Sequence, residues 1–119
     1  MKKLFTLLCA AIISLAALAD GKTCKVKGTT GTVEVNAYQD GSKIIVDFGN
    51  DTDVDVNVNF RIGYLQYDRI YDSWLGKEVN RTKRVPPHSS SSIEINTGTK
   101  DIKDVTVKSL SGNKCEKFK

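Results

Sequence analysis

The stretch from Asp53 to Tyr64 alternates strictly between apolar and polar side chains. The apolar side chains, at every second position, are those of Val54, Val56, Val58, Phe60, Ile62 and Tyr64. The polar side chains between them are those of Asp53, Asp55, Asn57, Asn59 and Arg61. A period of two over this length is typical of a β-strand with one buried face. The apolar face needs a covering surface, so the pattern predicts an antiparallel sheet with one dry face and one wet face.

The first residues have the form of an export signal rather than of a folded element. Lys2 and Lys3 precede an apolar run that extends from Leu4 to Leu18, and Ala17-Leu-Ala19 matches a small-x-small cleavage site. The run is shorter than the roughly 20 residues that a membrane span needs. We therefore expect residues 1–19 to be a cleaved signal peptide similar to a bacterial Sec signal. Residues 20–119 would then be one secreted or periplasmic domain that is not inserted in a membrane.

The charge of the chain is small and well mixed. The 18 basic and 14 acidic residues give a formal net charge of +4, and loss of the two leader lysines leaves 16 basic residues against 14 acidic ones. A small surplus with interleaved signs argues against nucleic acid as a partner.

Two cysteines remain after leader removal, Cys24 and Cys115, near the two ends of the domain. An even pair in an exported protein predicts a disulfide, which here would join the terminal segments. No C-x-x-C motif is present and no histidine lies near either cysteine, so a redox or metal pair is disfavoured.

Turn signals divide the rest of the domain into seven to nine short strands, without helical periodicity. Asp40-Gly41 between two apolar runs predicts a hairpin. After Tyr64 we expect the strand to continue to about Tyr71, then a bend through residues 72–73 and Gly76, then a polar edge strand over residues 77–85. The pattern indicates an all-β antiparallel sandwich, with a small closed barrel as the alternative.

Four segments carry a resemblance to a known group of proteins. They are Ile44-Ile-Val-Asp-Phe-Gly-Asn50, Val54-Asp-Val-Asn-Val58, Val85-Pro-Pro-His-Ser-Ser90 and Ile93-Glu-Ile95. Together they resemble small exported bacterial domains with an immunoglobulin-like or fibronectin-III-like sandwich. The resemblance implies that fold and carries over no functional residue.

No catalytic constellation is evident. His88, the one histidine, precedes Ser89–Ser92, but adjacent residues of an extended chain point apart and no G-x-S-x-G elbow is present. Asp51, Asp53 and Asp55 alternate like the start of a calcium loop, yet the glycine and glutamate of an EF-hand are missing. Two interpretations of the aspartates stay open: a weak surface Ca²⁺ site, or a solvated strand face. We expect no metal, no cofactor and no enzymatic activity.

Aromatic residues are concentrated just after the alternating stretch. The candidate binding residues are Tyr67, Arg69, Tyr71 and Trp74. Rings with polar neighbours suit recognition of a protein or a glycan. A small sandwich also needs bulky core residues, and Trp74 with Tyr64 could serve as those instead.

These features predict a non-enzymatic binding or adaptor module that recognises a protein or glycan through an aromatic surface. The alternative is a structural or inhibitory envelope protein that acts through a sheet edge or the loop around Pro86, Pro87 and His88.

Overall fold

The computed structural model of the chain describes residues 20–112 and 115–116. Its regular structure consists of eight β-strands, and the predicted leader, residues 1–19, lies outside the described residues. The strands are β1 (Asp20–Val26), β2 (Thr32–Asp40), β3 (Lys43–Asn50), β4 (Val56–Asp68), β5 (Ser73–Val85), β6 (Ser89–Asn96), β7 (Ile102–Gly112) and β8 (Cys115–Glu116).

The strands form two sheets. The five-stranded sheet has the order β6–β3–β2–β1–β8, and the three-stranded sheet has the order β5–β4–β7. All neighbouring strands are antiparallel. The prediction of an all-β antiparallel sandwich with seven to nine strands is thereby confirmed for the described part of the chain.

The core lies between the sheets and is almost wholly aliphatic. Phe48 of the five-stranded sheet and Phe60 of the three-stranded sheet meet edge to face, with ring centroids 5.2 Å apart. The largest fully buried side chains are those of Phe48, Ile44, Ile62, Leu110, Val26, Val33, Val35, Val46, Val56, Val58, Val85 and Val107. These residues alternate along their strands, because successive side chains of a strand point to opposite faces.

Strand β4 contains the alternating stretch from Val56 onward, as predicted, but the strand begins three residues later than expected. Val56, Val58, Phe60 and Ile62 are buried, whereas the polar residues between them are exposed. The strand starts at Val56 rather than at Asp53, because the chain is still crossing from one sheet to the other over residues 51–55.

The end of β4 corrects a second expectation. The strand stops at Asp68 and the turn occupies residues 69–72, so Tyr71 lies in the turn and Gly76 lies inside β5. The turn forms without glycine or proline, because the Asp68 carboxylate accepts hydrogen bonds from the turn amides and Asp72 adopts a φ of 50°. The polar edge strand predicted for residues 77–85 is part of β5.

The predicted β2–β3 hairpin is confirmed. Asp40 pairs with Lys43, which leaves Gly41 and Ser42 as a two-residue loop. Gly41 has a φ of 64° and Ser42 does not have a positive φ. Glycine with positive φ at the first loop position is the signature of a type II′ turn.

Candidate functional site

The β4–β5 hairpin ends in a short, well-braced turn. We call residues 67–74 the hairpin tip. The Asp68 side chain caps the turn, since its Oδ1 accepts hydrogen bonds from the amides of Ile70 (2.8 Å) and Tyr71 (3.2 Å). An aspartate that binds the backbone two residues ahead mimics a backbone turn and fixes its shape.

The hairpin tip carries the most exposed large apolar side chains of the described chain. Ile70 is 87% exposed, Tyr71 is 74% exposed and Trp74 is 40% exposed. No other large hydrophobic residue among those described is comparably exposed. Single exposed hydrophobic residues are ordinary on protein surfaces, whereas contiguous exposed apolar patches are often functional.

Two of the aromatic rings form a pair across the hairpin. Tyr67 and Trp74 are directly opposite in the β4–β5 register, with ring centroids 5.4 Å apart and planes inclined by 62°. The Tyr67 hydroxyl donates a hydrogen bond to the Asp72 carboxylate. This bond, followed by partial burial of the phenol, raises the pKa of Tyr67 above its ordinary value of 10.0, so the hydroxyl stays protonated and keeps donating.

One cationic side chain contacts the ring pair, and another lies in the adjoining turn. Lys103 of β7 places its Nζ 4.3 Å from the centroid of the Trp74 ring, a cation–π contact. Arg69 Nη2 lies 3.7 Å from Asp101 Oδ2, although the arginine side chain is 85% exposed. The Asp101 carbonyl also accepts a hydrogen bond of 3.0 Å from the Tyr67 amide, so the start of β7 braces the tip.

All four candidate binding residues lie within the hairpin tip. Trp74 is a surface residue and not part of the buried core, whereas Tyr64, on the opposite face of β4, packs against the core. Lys103 was not predicted, because it is distant in sequence and reaches Trp74 only through the pairing of β7 with β4.

An open depression of about 650 Å³ lies beside the tip on the three-stranded sheet. Gly63 and Gly76 contribute no side chains to it. At its wall, Glu78 lies 3.8 Å from Arg61 Nε and 4.0 Å from Lys108 Nζ. The depression therefore combines open backbone at Gly76 with charged groups, whereas the Lys108 side chain lies over the backbone at Gly63.

The three aspartates of the suspected calcium loop are engaged with three separate partners. No group of three or more possible metal ligands is found within residues 20–112 and 115–116. The partners are the Thr32 amide for Asp51 (2.9 Å), the His88 ring for Asp53, and Arg84 Nε for Asp55 (2.8 Å). His88 lies within hydrogen-bonding distance of no serine in the described structure, and its contact is with an exposed carboxylate.

A buried polar cluster links the two sheets at the opposite end of β4 from the tip. Asn50 is 3% exposed, and its Nδ2 donates to the carbonyls of Val54 (2.7 Å), Val85 (3.1 Å) and Pro86 (3.2 Å). Its Oδ1 accepts from the amide (2.9 Å) and hydroxyl (2.7 Å) of Thr52. This cluster was not predicted, because it joins residues 50–54 to residues 85–86, which are distant in the sequence.

The loop around the two prolines belongs to the same cluster. The His88 amide donates to the Thr52 carbonyl (3.1 Å), and Ser89 Oγ donates to the Pro86 carbonyl (2.6 Å). The loop is therefore bound to the body of the sandwich by its backbone.

Comparison of the chain with protein-family models, with curated proteins and with solved structures finds no match. In the part of the chain that the structure describes, no helix has the length and hydropathy of a membrane span.

Proposed function

We propose that this protein is a non-enzymatic binding or adaptor module that recognises its partner through the hairpin tip. The observation that supports this most strongly is the grouping of Ile70, Tyr71 and Trp74, the three exposed large hydrophobic residues of the described chain, at the hairpin tip. Aromatic side chains that become buried on binding contribute much of the affinity of an interface.

The form of the tip favours a protein over a glycan. Ile70 and Tyr71 occupy a turn at the end of a hairpin, which suits insertion into a pocket of another protein. Stacking of a sugar requires a free ring face, and Lys103 occupies one side of Trp74. A glycan remains the second candidate, and the depression beside the tip is where it would bind.

The test compares partner retention by the wild type and by the variant Ile70→Ser/Tyr71→Ser. Each is immobilised and exposed to bacterial envelope proteins, secreted proteins or envelope polysaccharide in separate samples. We expect one protein fraction to contain a component that the wild type retains and the variant loses. The control is Lys43→Ser/Glu94→Ser, which removes an exposed ion pair on the five-stranded sheet and leaves the net charge unchanged.

Loss of retention in the control variant as well would contradict a role of the tip. Retention of polysaccharide alone, accompanied by a shift of Trp74 emission, would favour the glycan. Trp74 is the single tryptophan, so any change in tryptophan emission reports on the tip.

The loop around Pro86, Pro87 and His88 is a weaker candidate for an inserted segment. Its backbone is bound to Asn50 and Thr52, so its conformation is fixed by the buried cluster.

We further propose that the domain is exported and that Cys24 forms a disulfide with Cys115. Support for the disulfide comes from the register of β1 and β8, which pairs Cys115 with Val26, two residues from the buried Cys24. The leader-like residues 1–19 support export to the periplasm or the medium. Intact mass of the purified protein, with and without reductant, tests cleavage before Asp20 and the disulfide together.

An immunoglobulin-like relation is proposed on the strand pairing. With β3, β4, β6 and β7 taken as strands B, C, E and F, the B–E and C–F pairs of that fold are present. The last strand differs, because β8 pairs with β1 rather than continuing the sheet beside β7.

A further inference from the structure

Strand β5 presents a long free edge. It pairs with β4 over all of its 13 residues, and no other strand of the described chain pairs with it. The outer side of an edge strand carries backbone N–H and C=O groups that another extended chain can bind. Residues 77–83 of this edge lie outside the hairpin tip, so this surface is independent of the proposed function.

Three cations occupy the face of β5 that continues the core-facing side of β4. The register pairs Lys77, Arg81 and Lys83 with Tyr64, Phe60 and Val58, respectively. Lys77 and Arg81 are exposed and Lys83 is half-buried, so the five-stranded sheet does not cover them.

None of these three cations forms an ion pair within the described structure. Arg81 donates to the carbonyl of its neighbour Asn80 (3.0 Å), which leaves its charge uncompensated. The acid on β5, Glu78, is already flanked by Arg61 and Lys108. The other cation of the strand, Arg84, is paired with Asp55. The face of β5 that carries Lys77, Arg81 and Lys83 therefore has positive charge alone.

The spread of the cations identifies the kind of ligand. Lys77 and Lys83 are six residues apart, about 20 Å along a strand, which exceeds the reach of one small anion. A second copy of β5 is disfavoured, because antiparallel self-pairing centred on Asn80, which aligns the cationic segments of the two copies, would set Lys77 opposite Lys83. Like charges directly opposite each other destabilise a strand pair.

We propose that β5 binds an extended acidic segment of another protein as an added antiparallel strand. Its carboxylates lie opposite Lys83, Arg81 and Lys77, which requires acids at positions n, n+2 and n+6 of the segment. Main-chain hydrogen bonds supply affinity in this mode of recognition, and the alternating side chains supply specificity.

The test uses a fluorescein-labelled peptide, Thr-Glu-Val-Glu-Val-Thr-Val-Glu-Thr, with fluorescence anisotropy at low and high salt. A peptide of the same composition with contiguous glutamates and a peptide with lysine in place of glutamate serve as comparisons. We expect the spaced acidic peptide to bind about twofold more tightly than the contiguous one, because contiguous glutamates can still face Lys83 and Arg81 and lose only one exposed ion pair. The lysine peptide should not bind.

The variant Arg81→Glu/Lys83→Glu should lose the acidic peptide and bind the lysine peptide. Lys27→Glu/Lys100→Glu makes the same change in net charge at two exposed loop positions and should bind as the wild type does. Ile70→Ser/Tyr71→Ser should also bind normally, which separates this edge from the hairpin tip.

A further measurement needs no variant of the protein. If the peptide is added as a strand, its backbone N–H groups that face β5 donate hydrogen bonds to that edge. N-methylation of those amides, which belong to alternate residues of the peptide, should therefore abolish binding. The proposal is overturned if the spaced acidic peptide does not bind, if the contiguous peptide binds equally well, or if N-methylation has no effect. The edge cations would then serve only to prevent self-association.

Discussion

Tyr67 and Trp74 illustrate how polar neighbours hold an exposed aromatic pair in place. The Tyr67 hydroxyl is bound to Asp72, and the Trp74 ring is in contact with the Lys103 ammonium. An exposed cation–π contact contributes about 0.5–1 kcal/mol, which is enough to favour one ring orientation. The rings would thus be ordered before the proposed partner binds, so that less conformational entropy is lost.

The Tyr67–Asp72 hydrogen bond should depend on pH. Because the bond raises the pKa of Tyr67 in the folded protein, its contribution to stability is present below the unfolded pKa and is lost as pH rises through the raised value. Replacing the acceptor by Asp72→Asn should lower the pKa of Tyr67. A titration followed by the NMR signals of labelled tyrosine rings measures this. A pKa unchanged by the substitution would show that Asp72 is not the cause.

Asn50 should be among the most sensitive polar residues of the domain. Asn50→Ala removes the donor to three carbonyls and the acceptor for the Thr52 amide and hydroxyl. The carbonyls of Val54 and Pro86 keep the hydroxyls of Thr52 and Ser89 as donors, but the Thr52 amide loses its acceptor in a buried position. We expect the free energy of unfolding to fall by about 1–3 kcal/mol. Urea unfolding measures it, with Asn96→Ala, at an exposed position, as the control. Equal losses in the two variants would contradict a special role for Asn50.

At the scale of single elements, the β2–β3 hairpin depends on one backbone conformation. Gly41→Ala places a side chain at a φ of 64°, which costs an L-residue about 1–2 kcal/mol. Gly49→Ala, in β3, is the matched control, because its φ is not positive and an added Cβ meets no atom within 4 Å. Urea unfolding should show a loss of stability only for Gly41→Ala. A stable Gly41→Ala variant would mean that the turn adapts.

The elements that could be predicted from the sequence are those whose residue pattern extends over only a few positions. Alternation identified the buried face of β4, and Asp40-Gly41 identified a hairpin, because both signals act within a few residues. The turn over residues 69–72 was misplaced, since Arg69-Ile-Tyr-Asp72 contains neither glycine nor proline and the aromatic residues continue past it. The side chain of Asp68 makes this turn, and composition does not reveal such a bond.

The candidate site was predictable only as a group of neighbouring residues. Tyr67, Arg69, Tyr71 and Trp74 are close in sequence, so they were expected to lie together on any fold. The opposition of Tyr67 to Trp74 requires the β4–β5 register, and the contribution of Lys103 requires the pairing of β7 with β4. Neither can be obtained from spacing alone, because pairing between distant strands depends on the whole sandwich.

At the scale of the whole molecule, the proposed disulfide should supply a large share of the stability. It would close a loop of roughly 90 residues and stabilise the domain by about 4–5 kcal/mol in the chain-entropy model. Cys24→Ala/Cys115→Ala should therefore lower the free energy of unfolding by a similar amount. Urea unfolding of the oxidised wild type, the reduced wild type and the variant tests this. If reductant leaves the wild type unchanged, the cysteines are not bonded.

The pairing of β8 with β1 also fixes the order in which the molecule can be completed. Synthesis begins at the N-terminus, so β1 can pair with β2 while the chain is still growing. The other side of β1 has no strand to pair with until residues 115–116 have been made. A nascent chain therefore carries an open edge for most of its synthesis, and a truncation before β8 would make that temporary exposure permanent.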